Sequence, residues 1–162
     1  MEIPKNVQTF CDFAWRRAKR LLHKDRFPGS TVFLLKGRNV SMVPAIFESD
    51  GEIDAFFTAC SNAAKQEEAE AVVMVAEGWG LLARKGWTKK RMESEREKHG
   101  GVSKHPDREE ILFMSCMLPS GYTFGKRAVM IRAGDSVALI DEVEMEGEKS
   151  KEQWPSMKPW AH

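Results

Sequence analysis

Two uninterrupted apolar runs, Ala71-Val72-Val73-Met74-Val75-Ala76 and Ile111-Leu112-Phe113-Met114, constrain this chain more than any other feature. A short run that is apolar at every position reads as a strand of the buried type. The first run ends in Glu77-Gly78-Trp79-Gly80, about thirty mostly charged residues follow, and His105-Pro106-Asp107-Arg108-Glu109-Glu110 leads into the second. A long charged excursion between two hydrophobic strands is uncommon in a compact domain, and is either functional or disordered. Most of the polar, oddly placed residues collect there, so a site is expected there. The pattern names no reaction.

The rest of the chain arranges itself around these strands. Val7, Phe10, Cys11, Ala14, Ala18, Leu21 and Leu22 recur at three- and four-residue spacing, which predicts an amphipathic helix with Pro4 in its first turn. Its opposite face carries Arg16, Arg17, Lys19 and Arg20. Thr31–Lys36 and Val40–Ile46 read as strands joined through Gly37-Arg38-Asn39 in a hairpin. Pro44 donates nothing to a ladder, so the second strand is expected at a sheet edge or a bulge. Ser49-Asp50-Gly51-Glu52 reads as a capping box opening a second amphipathic helix through Ile53, Phe56, Phe57, Cys60, Ala63 and Ala64. After the excursion, Ile111–Leu118 and Thr123–Arg132 flank a turn, and Val137–Ile140 follows another. The order α-β-β-α-β-β-β with mainly hairpin connections predicts an α+β fold with a largely antiparallel sheet. Roadblock-type domains share that order and profilin-like folds are related in spirit, an analogy of fold that carries no function.

On this reading residues 1–142 form a single α+β domain with a charged insertion at about 84–104. Residues 143–162 form an acidic, Trp-containing tail, either disordered or docked through its tryptophans. The formal net charge of +1 points neither to a nucleic-acid binder nor to an acidic solvating chain. It hides an asymmetry: residues 1–26 carry seven Lys/Arg against three acids, and residues 141–152 six acids against two Lys. Such polarity steers self-association or a charged partner, or is neutralised within the molecule. Three widely spaced cysteines, Cys11, Cys60 and Cys116, in apolar contexts and without a secretory leader, predict buried thiols and a cytoplasmic location. No segment approaches the ~18 apolar residues of a membrane-spanning helix.

Several candidate chemistries can be weighed. Gly78-Trp79-Gly80-Leu81-Leu82-Ala83 matches a dinucleotide-binding fingerprint, but a Lys/Glu-rich run replaces the strand and acid that mechanism needs, so a glycine-permitted bend around Trp79 is expected. No cofactor is therefore assigned. Glu77, His105 and Asp107 would supply general acid–base chemistry, with Arg108 as an anion clamp, if the excursion folds back over the sheet. His105-Pro106-Asp107 is equally natural as turn chemistry. Trp87, Lys89, Lys90 and Arg91 have the composition of a single-stranded nucleic-acid site. Neighbouring acids neutralise them, and a short solvated helix over 88–98 with i,i+4 pairs is the plainer account. The histidines are far apart and no Cys or His pair has zinc-ligand spacing, so no metal site is expected.

The strand ending in Glu77-Gly78-Trp79, the variable polar loop and His105-Pro106-Asp107-Arg108-Glu109-Glu110 resemble a group of uncharacterised bacterial and phage proteins with an E-x-W … H-P-D-R-x-E pattern, over residues 70–118. The resemblance implies a shared constellation of Glu77, Trp79, His105, Asp107 and Arg108, and no activity. The reading adopted is a cytoplasmic binding protein that self-associates, with a protein partner favoured over nucleic acid or membrane. The rival is a small hydrolase or ligand-binding enzyme using Glu77, His105 and Asp107. A third reading is single-stranded nucleic-acid binding through Trp87, Lys89, Lys90 and Arg91.

Overall fold

In the computed structural model, which describes residues 2–24, 29–47, 49–81, 85–147, 154 and 156–161, the first amphipathic segment is helix α1 (Lys5–His23). It buries Val7, Cys11, Ala14, Trp15, Ala18 and Leu22. Trp15 joins the buried stripe although the simple spacing passed over it. Strands β1 (Thr31–Lys36) and β2 (Asn39–Pro44) form the expected hairpin, with Gly37 at φ 59°, where a residue without Cβ is least strained. Helix α2 (Asp50–Glu67) is capped as the sequence specifies: the Ser49 side chain accepts from the Glu52 amide. Strand β3 (Ala71–Gly80), helix α3 (Lys89–Glu97), and strands β4 (Glu109–Met117), β5 (Thr123–Ala133) and β6 (Ser136–Glu146) complete the chain.

The fold is α+β, with a single six-stranded sheet in the order β2-β1-β3-β4-β5-β6 and every pairing antiparallel. The segment Val137–Ile140 and the short helix over 88–98, both read from the sequence but outside the seven-element order, are its sixth strand and third helix. Three expectations change. The bend expected around Trp79 is absent: Glu77, Gly78, Trp79 and Gly80 continue β3 and pair with Leu112, Ile111, Glu110 and Glu109. Residues 143–146, which their acidity marks as the start of the tail, are the last residues of β6, an edge strand. The excursion contains a nine-residue helix with a buried carboxylate, not a purely solvated one.

Successive residues of a strand face opposite sides, and the apolar runs exploit both. Ala71, Val73 and Val75 of β3 pack with Leu112, Met114 and Cys116 of β4 against α1. Val72, Met74 and Ala76 pack with Met117 against α2. The α2 face is completed by the C-terminal arm, where Trp154, Met157 and Trp160 are buried. Trp154 Nε1 donates to Ser115 Oγ at 2.7 Å, and Trp160 Nε1 to the Ala69 carbonyl at 2.8 Å. The arm is further tied by a Ser156–Asp54 hydrogen bond. On the α1 face, Trp15 Nε1 donates to Glu142 of β6 at 2.6 Å and Lys19 pairs with the same carboxylate at 3.4 Å. Part of the charge asymmetry is thus neutralised inside the molecule. Among the described residues no helix is long and apolar enough to cross a membrane.

Candidate functional site

The excursion folds back over the α2 side of the sheet beyond α2 itself. Its helix starts where Thr88 Oγ1 accepts from the Arg91 amide at 3.1 Å, and 3₁₀ turns at Lys98–Gly100 and Val102–Lys104 return the chain to β4. The turn chemistry at 105–108 is local: the Arg108 amide and one guanidinium nitrogen both donate to the His105 carbonyl. The segment is organised around Glu95 and His105, which are 5% and 2% exposed. His105 Nε2 lies 2.9 Å from Glu95 Oε2, while Lys98 Nζ and Arg91 Nε reach Glu95 Oε1 at 2.6 and 3.0 Å. The Asp107 amide donates to His105 Nδ1 at 3.0 Å. Since Nδ1 accepts, this network places the ring proton on Nε2, directed at the carboxylate.

The hydrogen bond from Lys98 leads in holding the Glu95 carboxyl at about 2, with His105 next and Arg91 adding to it. Water is kept from Glu95 by the side chains that pair with it and not by a deep core, so the pair belongs to the surface shell of the fold. His105 belongs to the candidate site read from the sequence, and Glu95 does not. Its signal was present: a Glu flanked at i−4 by Arg91 and at i+3 by Lys98, ten residues before a His-Pro turn.

The other residues of the E-x-W … H-P-D-R-x-E pattern lie at the end of β3 and the entry to β4. Trp79 is opposite Glu110 in the register, and the Arg108 guanidinium lies over the Trp79 ring at 4.7 Å. Glu77 lies 3.8 Å from Arg132 of β5, which also donates to Glu110 at 2.7 Å. The fold therefore brings Trp79 and Arg108 together and sets Glu77 in a carboxylate–guanidinium cluster with Glu110 and Arg132. His105 is turned inward to Glu95, and the exposed Asp107 uses its backbone to hold the His105 ring.

Trp87 and Arg91 are also engaged with each other, the guanidinium 5.1 Å from the ring centroid. Lys89 and Lys90 are exposed in the first turn of α3. The strand following Gly78-Trp79-Gly80 runs antiparallel to β3, whereas a dinucleotide site requires a parallel crossover; Leu82 and Ala83 lie outside the described residues. No cluster of three or more His, Cys, Asp or Glu able to hold a metal occurs among the described residues.

A different surface is apolar. Every residue of β2 is exposed, and Val40, Met42, Val43 and nearby Ile46 are large exposed hydrophobes. Val40 and Met42 border a groove of about 270 Å³ between α1 and the β1–β2 hairpin, with Phe10, Phe13, Arg17 and Phe33 among its walls. Phe13 is half-exposed at its rim.

The family model described as bacteriophage lambda protein ea47 matches residues 2–162, and the chain belongs to that family. No curated protein and no solved structure matches it.

Proposed function

We propose that this member of the ea47 family works by binding, and that it self-associates through strand β2 to form a symmetric dimer. One observation carries the reading: an edge strand exposed along its whole length, beside an apolar groove. An uncovered apolar edge is a template for pairing with another chain.

The register supplies the detail. The Ala45 amide bonds to the Ser30 carbonyl, so Val43, Ser41 and Asn39, which alternate with it, also point their backbone groups at β1. Val40 and Met42 then turn their amides and carbonyls outward, and Pro44, next in that series, has no N–H to offer. A two-fold axis at Met42 would let the two Met42 residues exchange both backbone bonds and give each Val40 amide the partner's Pro44 carbonyl. Pro44 ends the ladder there. Val40 and Met42 side chains would lie with Phe13 on the α1 face of a continuous sheet.

The geometry around His105 favours binding over the hydrolase alternative, because both ring nitrogens are engaged and the ring is buried. A general base needs a lone pair directed at the substrate. The Trp87–Arg91 contact and the Arg91–Glu95 pair likewise favour a self-contained helix over a strand-binding surface.

Light scattering at micromolar concentration should give about twice the 18.4 kDa chain mass. Met42→Lys should give a monomer with unchanged circular dichroism, since the side chain is 63% exposed in the free chain. A monomer mass for the unmodified chain at every concentration would sink the proposal. A peptide from another protein adding to the same edge would then be the occupant to seek.

A further inference from the structure

The groove between α1 and the β1–β2 hairpin follows from where the helix places its small residues. Ala14 and Ala18 stand one turn apart on the side of α1 that lines the groove, between the larger Phe10 and Leu21. Methyl groups on two successive turns leave the helix short of the strands, and the gap holds about 270 Å³. Val75 of β3 is buried at its floor, and Phe10 meets Phe33 edge to face at 5.3 Å in its wall. Phe13, Val40 and Met42 stand exposed at its mouth.

Two of the lining side chains are polar, Thr31 and Arg17. The Thr31 hydroxyl donates to the Gly29 carbonyl at 3.3 Å and is already satisfied. Arg17 is exposed at the rim, and among the described residues no carboxylate pairs with it. Arg20, its neighbour one turn on, is likewise exposed and unpaired, whereas Lys19 is drawn off to Glu142. Among the described residues no acidic side chain lines the groove. The walls therefore favour hydrocarbon and the rim favours an anion.

We propose that this groove binds a free straight-chain carboxylate of about ten carbons, its tail between α1 and the hairpin and its head on Arg17. An apolar cavity of about 150 Å³ holds one benzene, so 270 Å³ has room for about ten carbons. A guanidinium meets a carboxylate fork to fork, through two parallel hydrogen bonds. Covering Phe13, Val40 and Met42 supplies the affinity, and Arg17 sets the sign of charge the site accepts. One chain supplies every wall of the site. It needs no pairing through β2, whose ladder would use the backbone at the outer edge of the sheet.

The test uses the full chain, titrated by calorimetry with decanoate, hexanoate, decanol and decyltrimethylammonium, each below its micelle concentration. Light scattering of the same samples reads the dimer separately. Decanoate should bind once per chain. Each methylene removed should weaken binding about three- to fourfold, which leaves hexanoate roughly a hundredfold weaker. Decanol should bind less tightly than decanoate, and the ammonium amphiphile less tightly still. Arg17→Glu should weaken decanoate about tenfold or more and leave decanol unchanged, while Phe13→Ser should weaken both. Both side chains are exposed, so the two variants should keep the circular dichroism and melting of the unmodified chain. Absence of saturable decanoate binding overturns the proposal. So does equal or tighter binding of the ammonium amphiphile, and so does an Arg17→Glu chain that holds decanoate undiminished. Sedimentation with phosphatidylglycerol vesicles in the absence of decanoate binding overturns it in favour of a membrane surface. A monomeric mass with decanoate bound upholds the site and sinks the dimer; a dimeric mass without decanoate bound does the reverse.

Discussion

Replacing Trp154 by Ala tests whether the C-terminal arm is part of the core. Trp154 is 3% exposed, edges onto Phe57 at 5.9 Å and donates to the wholly buried Ser115 hydroxyl. Truncating a buried Trp costs about 3–5 kcal/mol through lost transfer energy and the residual cavity. At roughly 2–4 °C per kcal/mol for a domain of this size, the melting temperature should fall by roughly 6–20 °C. Trp154→Phe keeps most of the volume but removes the N–H, leaving the Ser115 oxygen without its donor, at about 1–3 kcal/mol. The internal control is Trp79→Ala. That ring is 45% exposed, and its contact with Arg108 is worth about 0.5–1 kcal/mol. Calorimetry of the three variants should rank them Trp154→Ala, Trp154→Phe, Trp79→Ala in order of damage. If Trp154→Ala costs no more than Trp79→Ala, the arm contributes nothing to the core and the account of the α2 face is wrong.

Acid should loosen the excursion before the sheet. The Glu95 carboxyl is depressed from 4.5 to about 2, so its contribution is complete above 4.5 and is lost as pH falls through about 2. Hydrogen exchange of the 89–97 amides, corrected for intrinsic rate, should accelerate over that window in the unmodified chain and show no such step in Glu95→Gln. All three thiols should resist a thiol reagent in the native state and react on unfolding in urea. Burial pushes Cys60 up to about 11, and burial with the adjacent Cys11 pushes Cys116 well above the usual thiol range. Gly125→Ala should be among the most damaging small changes, at least about 2–3 kcal/mol by urea midpoint, because its Cβ would strike the Met114 carbonyl and the Ser115 backbone of the adjoining strand.

What the sequence revealed follows from which signals are local. The α1 stripe, the Ser49 cap, the Pro44 edge and the α+β class depend on neighbours within a turn or a ladder, and each is visible in composition and spacing. The continuation of β3 through Gly78-Trp79-Gly80 was hidden because glycines lower strand propensity, while the pairing to Glu109–Leu112 that overrides it comes from thirty residues away. The last residues of β6 were hidden for a related reason: an edge strand needs few apolar residues, so acidic alternation looks like a tail. Around the candidate site, the motif groups Glu77, Trp79, His105, Asp107 and Arg108 without saying which touch; the fold sets the Arg108 guanidinium over Trp79 and turns Glu77 to Arg132. The partnership of His105 with Glu95 was not legible, since it depends on α3 turning one carboxylate under its own lysine and arginine.

The strand order also bears on how the chain reaches its fold. β4, β5 and β6 follow one another through tight turns at 118–122 and 134–135, and β1 and β2 close through Gly37 and Arg38. Such pairings close short loops, which cost little chain entropy and form on the microsecond scale for a single hairpin. The slow contacts are of another kind. Trp15 must find Glu142 across a sequence separation of 127, and β1 must find β3 across the whole of α2. The meander β4–β6 is therefore the natural nucleus, with α1 arriving late as a lid over a sheet already built. Until it does, Val73, Val75 and Met114 lie bare, and the interval between the two events is when the chain is most open to capture by its own kind.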